Sequence, residues 1–234
     1  MNSSLASATD AMSDEDVAKM AQHCYGYGDW GAPYGFIGPE PGQRRDENGD
    51  LGPRLRAWRE LGSCELCDCK KFHRAINQLQ WHIKGNLQPA WRPLILLLRA
   101  FLGEQTDTEA LRDYQRNEWG KTNGETCVIE LSGLAANNLT VHRNRETFRP
   151  QRISVIRERI RENHPSLVVM YGKGQKDSWE KIAERTFPDD NVLVRNRTIF
   201  AFTQHAVARG LGNKYWKELG QRLRSVAQRQ GTVV

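Results

Sequence analysis

Four short apolar runs, each cut off by a loop of small or polar residues, constrain this chain more than any other feature. They are Tyr34–Ile37 before Gly38, Cys127–Leu131 before Ser132, Leu167–Tyr171 before Gly172, and Thr198–Phe202 before Thr203-Gln204-His205. Runs of this length, rich in β-branched and aromatic residues, read as buried strands. Longer stretches with helical patterning lie between them: Arg54–Leu61, Trp91–Leu102, Thr108–Trp119, the Ile153/Ile156/Ile160 segment and Ser178–Thr186. Asn213–Gln230 then closes the chain. Strands alternating with helices predict an α/β fold, a single three-layer α/β/α domain around a mostly parallel central sheet of about four strands. Such crossovers bring the carboxyl ends of the strands to one edge, where open α/β sheets bind ligands.

The first run stops at Gly38-Pro39-Glu40-Pro41-Gly42. Two prolines fix φ and remove two backbone donors, and the flanking glycines permit positive φ or close approach by another group. One carboxylate, Glu40, sits at the apex. An ordinary turn with a solvated glutamate is the alternative reading. The last run ends beside His205, so a carboxylate and an imidazole are expected to face one another across a single crevice.

The chain carries 34 Lys and Arg against 28 Asp and Glu, a net charge of +6, which favours an anionic partner, nucleic acid first. Arg143, Arg145, Arg149 and Arg152 lead into a helix with Arg157, Arg159 and Arg161. That helix reads either as a salt-bridged, solvated element or as a phosphate-facing surface. The longest apolar run, Leu94–Leu98, is broken by Arg99 and falls far short of the roughly 20 residues that span a bilayer. Met1–Ala11 lacks the basic and apolar regions of a signal peptide, so a cytoplasmic protein with no membrane partner is expected. Ser13-Asp14-Glu15-Asp16 resembles a capping box opening a helix to about Gln22. Residues 1–24 are thus expected to form an N-terminal helical extension and 25–234 the α/β domain. Tyr25–Pro33, rich in glycine, reads as an aromatic loop.

Five cysteines, Cys24, Cys64, Cys67, Cys69 and Cys127, do not suggest a disulfide framework in a cytoplasmic chain. Cys64-x-x-Cys67-x-Cys69 with His73 has the residue types of a zinc or iron–sulfur site, but the spacing is cramped and no second pair follows at a usual distance. Small apolar fillers near a helix start account for them, and no metal is expected.

Gly38-Pro39-Glu40-Pro41-Gly42 after the first strand, and Thr203-Gln204-His205-Ala206-Val207-Ala208-Arg209 after the last, resemble the two signature motifs of the uracil-DNA glycosylase superfamily. The likeness runs from about Tyr34 to Gln230 and includes the order of elements. It implies a DNA glycosylase acting as a monomer, without cofactor, on a base flipped out of the stack. Glu40 then matches the residue that positions the attacking water, and His205 the histidine that hydrogen-bonds the departing base. Gly38, Pro39, Pro41, Gly42, Gln43, Ser132 and Gln204 would surround the substrate, with Ser132 near the position that reads the base edge. Arg209 or Leu211 would enter the helix, and Arg143 and Arg145 would hold its backbone.

Three departures shape the expected substrate. Gly42 stands where uracil-specific members of the best-known branch carry a tyrosine that blocks C5 substituents, Ser132 replaces a base-reading asparagine, and Ala206 replaces a proline. The chain is similar to a prokaryotic, anti-phage branch that excises bulky modified cytosines such as glucosylated hydroxymethylcytosine. No lysine lies in either motif, so a monofunctional enzyme that leaves an abasic site is expected. Two alternatives remain: a uracil-DNA glycosylase for base-excision repair, and a non-catalytic DNA-binding module of the same fold. The fragment Gly172-Lys173-Gly174 lacks the spacing of a full phosphate-binding loop.

Overall fold

A computed structural model describes residues 13–41, 51–83, 85–134 and 145–231. Seven strands are present among them: β1 (Gly26–Gly28), β2 (Tyr34–Gly38), β3 (Leu66–Cys67), β4 (Thr126–Glu130), β5 (Leu167–Tyr171), β6 (Val192–Arg195) and β7 (Thr198–Thr203). They form one mixed sheet in the order β3-β1-β4-β2-β5-β7-β6. The four central strands, β4-β2-β5-β7, run parallel. These are the four apolar runs of the sequence, with Leu131 just beyond the end of β4.

The expected count of about four strands is therefore corrected to seven, and the added edges are not all parallel. β1 pairs antiparallel with β4 and parallel with β3, and β6 pairs antiparallel with β7. β1 lies inside the glycine-rich segment expected to be a loop. Its glycines are what permit the strand: a Cβ on Gly26 or Gly28 would stand 2.1 Å from the carbonyl oxygen of Val128 or Thr126. β6 joins β7 through Asn196 and Arg197, both at positive φ, a two-residue turn of the kind that matches sheet twist.

The helices are α1 (Asp14–His23), α2 (Leu51–Glu60), α3 (Cys69–Ala75), α4 (Gln80–Ile83), α5 (Trp91–Leu102), α6 (Thr108–Asn117), α7 (Arg145–Asn163), α8 (Lys176–Ala183) and α9 (Asn213–Arg229). One sheet face presents Phe36, Val128, Leu167, Val169 and Ile199 to α5 and α9. The other presents Ile37, Ile129, Val168, Met170 and Phe200 to Ile153 and Ile156 of α7 and Trp179 and Ile182 of α8. Alternate residues of the strands thus point to opposite layers, which is why these runs are continuously apolar. α1 begins at Ser13, whose hydroxyl accepts from the Asp16 amide as the sequence suggested. It packs through Val17 and Met20 against Leu55 and Trp58 of α2. Among the described residues no helix is long and apolar enough to cross a membrane.

Candidate functional site

Among the four parallel strands, β2 is flanked by β4 on one side and β5 on the other, and the chain fills β4 before crossing to β5 and β7, so the strand order reverses at β2. Ligands of open α/β sheets lie outside the carboxyl ends of the strands at such a reversal. The Pro39-Glu40-Pro41 turn leaves β2 at that point. It is held by the continuing ladder, in which the Leu131 and Ser132 amides donate to the carbonyls of Gly38 (2.7 Å) and Pro39 (3.1 Å).

The structure places Glu40 close enough to His205 for its charge to act on the imidazole. Gly172, at φ +106° after β5, lies between their loops: a Cβ there would be 3.7 Å from the Pro39 ring and 4.0 Å from Cδ2 of His205. His205 is half-buried, and this desolvation lowers its pKa, while the negative charge of Glu40 opposes the shift. The Val207 amide donates to His205 Nδ1 at 3.3 Å, so the neutral ring carries its proton on Nε2. The loop between β7 and α9 thus holds His205 in a tautomer whose Nε2 can donate.

Two further groups, absent from the expected site, converge on Gly38. A Cβ at that position would stand 2.2 Å from the Tyr171 hydroxyl and 2.5 Å from Oε2 of Glu130. Glycine is required here for space, not for backbone freedom. Glu130 Oε2 is buried and makes no well-formed hydrogen bond, although the Tyr171 hydroxyl faces it. Burial raises the Glu130 pKa to about 8, with the Glu40 charge adding and Arg54 and Arg152 opposing. The Tyr171 ring meets His205 edge-on at 5.7 Å. Tyr171 therefore links the carboxyl at the end of β4 to the imidazole after β7.

Glu130 also borders a cavity of about 220 Å³ that includes Tyr27, Pro41, Arg54, Trp81 and Ser132 in its wall. Ser132, expected near the base-reading position, lies in the wall of this cavity. The Ser132 hydroxyl is spent on its own turn, donating to the Leu134 carbonyl (2.8 Å) and accepting from the Leu134 amide (3.2 Å). Glu130, two residues earlier, is the side chain aimed at the crevice. The signal was present in the sequence: an acidic residue ends an otherwise apolar strand, where burial without purpose would cost stability.

Of the other expected residues, Gln204 is half-buried and Arg209 exposed on the loop after β7. Leu211 is partly buried against the core, and Val207 on the same loop is 53% exposed. Gly42, Gln43 and Arg143 lie outside the described residues, as does the Arg145 side chain. Of the two readings of α7, the ion pairs of its arginines match the salt-bridged one. Arg152 is 1% exposed and donates to the carbonyls of Glu130, Leu131, Ala21 and Gln22. Arg157 and Arg161 pair with Glu184, and Arg159 with Glu65 and Glu162.

Searches against protein-family models and against curated proteins match nothing to this chain.

Proposed function

We propose that the protein is a monofunctional DNA glycosylase that hydrolyses the N-glycosidic bond of a flipped-out, C5-modified cytosine. The observation that carries this reading is the pairing of Glu40 and neutral His205 across one crevice at the strand-order reversal. Cleavage breaks the C1′–N1 bond, its electron pair leaves with the base, and water oxygen bonds to C1′. Glu40 stabilises the positive charge building on the sugar, orients the water and takes its proton. His205 Nε2–H donates to the base oxygen that gathers negative charge; one preorganised donor of this type is worth roughly 3 kcal/mol.

Glu130 supplies the recognition of the base. A protonated carboxyl offers one donor and one acceptor, the complement of cytosine N3 and its N4 amine. The cavity of about 220 Å³ is below the roughly 300–1,000 Å³ of drug-sized sites and suits a single base. A sugar carried on C5 would project through its mouth. DNA as partner is supported by the net charge of +6 and by exposed Arg209 beside the site. Excision of such bases from phage DNA would make this a defence enzyme.

The test is mass spectrometry of bases released from phage DNA containing glucosylated hydroxymethylcytosine, from uracil-containing DNA and from unmodified DNA. Release of the modified cytosine alone is expected. Release of uracil alone assigns the chain to repair, and no release from any DNA leaves a binding module. Glu40→Gln should retain DNA affinity and lose most turnover, measured as alkali-labile sites; an unchanged rate removes Glu40 from the chemistry.

A further inference from the structure

Cys69, His73 and His82 form a buried cluster on the side of the molecule where α3 and α4 cover β1. The sulfur and one ring nitrogen from each histidine lie within 4.8 Å of one another. We propose that these three side chains bind a zinc ion, a site that does not depend on the glycosylase reading. One thiolate and two imidazoles are a borderline-soft donor set, which suits Zn²⁺ and not a hard, oxygen-preferring cation.

The geometry fits without rearrangement of the backbone. Cys69 and His73 are four residues apart on α3, so they share one helix face. A tetrahedral zinc with bonds of about 2.3 Å to sulfur and about 2.0–2.1 Å to nitrogen places those atoms about 3.6 Å apart. The Cys69 sulfur is 3.4 Å from one histidine ring and 4.0 Å from the other. His73 Nδ1 also lies 2.7 Å from the Cys69 carbonyl. Ligation through Nδ1, the nitrogen 3.4 Å from the sulfur, exchanges that hydrogen bond for a metal bond and leaves the ring proton on Nε2.

The cluster is poorly satisfied as ordinary core. Cys69, His73 and His82 are 0%, 6% and 2% exposed. His82 Nδ1 is buried with no hydrogen-bond partner, and Nε2 has only the 4.0 Å contact to sulfur. Two neutral imidazoles with so few partners represent a desolvation cost that apolar side chains of similar shape would avoid. Trp91 closes the site, its ring 5.1 Å from His73 and 5.8 Å from His82. Phe72, His73, Gln78, Gln80 and Trp81, all on or next to α3 and α4, wall the cavity beside Glu130. α3 has seven residues and α4 four, too few to persist alone. A zinc ion would fasten the two to each other and hold that wall in place.

Cys64 and Cys67, the other half of the sequence motif, do not belong to the site. Their sulfurs are 3.3 Å apart, one in the loop after α2 and the other in β3. The test is the metal content of the full-length protein purified without chelator, with Co²⁺ titration of the stripped protein as spectroscopic probe. One zinc per chain is expected, with a tetrahedral cobalt spectrum that includes a charge-transfer band from a single thiolate. Cys69→Ser and His82→Ala should each weaken binding on the order of tenfold or more, whereas Cys64→Ser should not. If the variants fail to fold, the wild-type cobalt titration decides alone. Absence of both zinc and a tetrahedral cobalt spectrum overturns the proposal, and so does undiminished binding by folded Cys69→Ser.

Discussion

Glu130 keeps its proton at neutral pH because its carboxyl is buried beside Tyr171, with Glu40 nearby. Its pKa rises from 4.5 to about 8 on folding. Between those values the native state binds more protons than the unfolded chain, so stability falls as pH rises. The slope approaches about 1.4 kcal/mol per pH unit and ends once pH passes about 8. Glu130→Gln cannot ionise and should be free of this decline. Urea denaturation of both proteins from pH 5 to about 9 measures the difference. The same substitution separates recognition from chemistry. Glutamine also offers one donor and one acceptor, so the variant should stay active at neutral pH while losing the alkaline limb that the wild type shows near 8. A limb that survives in Glu130→Gln would take the base-reading role away from this residue.

At the scale of elements, Arg152 ties three segments together. From α7 its guanidinium donates to carbonyls at the end of β4 and the end of α1, and it stacks on the Tyr25 ring at 4.1 Å. It therefore fixes the backbone that aims Glu130. Arg152→Ala would leave those acceptors buried and unpaired, so a loss of about 3–5 kcal/mol is expected in denaturant titration. Arg152→Lys should recover only part of it, because an ammonium cannot span the same fork of acceptors. The sequence showed Arg152 as one arginine among seven near this helix, and helical spacing alone does not tell a buried member from an exposed one. The central strands were legible because each is apolar on both faces and ends at a loop. The three outer strands β1, β3 and β6 were not, since they are two to four residues long and β1 alternates glycine with tyrosine. Glu40 and His205 were legible because rigid or polar punctuation follows their strands. Glu130 and Tyr171 close their strands, but that they meet was not legible, because it depends on the missing side chain of Gly38.

For the whole molecule, the proposed function asks which of the 34 basic residues, in a chain of net charge +6, would face DNA. A basic total does not locate a binding face, because ion pairs on the surface cancel part of the field. On α7 the cancellation is partial: Glu184 is shared by Arg157, Arg161 and Arg195, and Arg159 is paired with Glu65 and Glu162. That layer covers the sheet face away from α5 and α9, whereas the crevice opens at the strand ends. Arg209 stands on the loop that begins with His205, so a duplex whose base reaches the crevice must run past it. Anisotropy titrations with a short duplex at several salt concentrations should give a straight line of log affinity against log salt. Arg209→Ala should weaken binding to all sequences about equally and reduce the slope by about 1. Arg161→Ala should change slope and affinity less than Arg209→Ala does, since Arg161 lies on α7 in an ion pair with Glu184 and away from the strand ends. If the two variants were reversed, DNA would lie across α7 and not across the strand ends, and the crevice would lose its claim to the substrate.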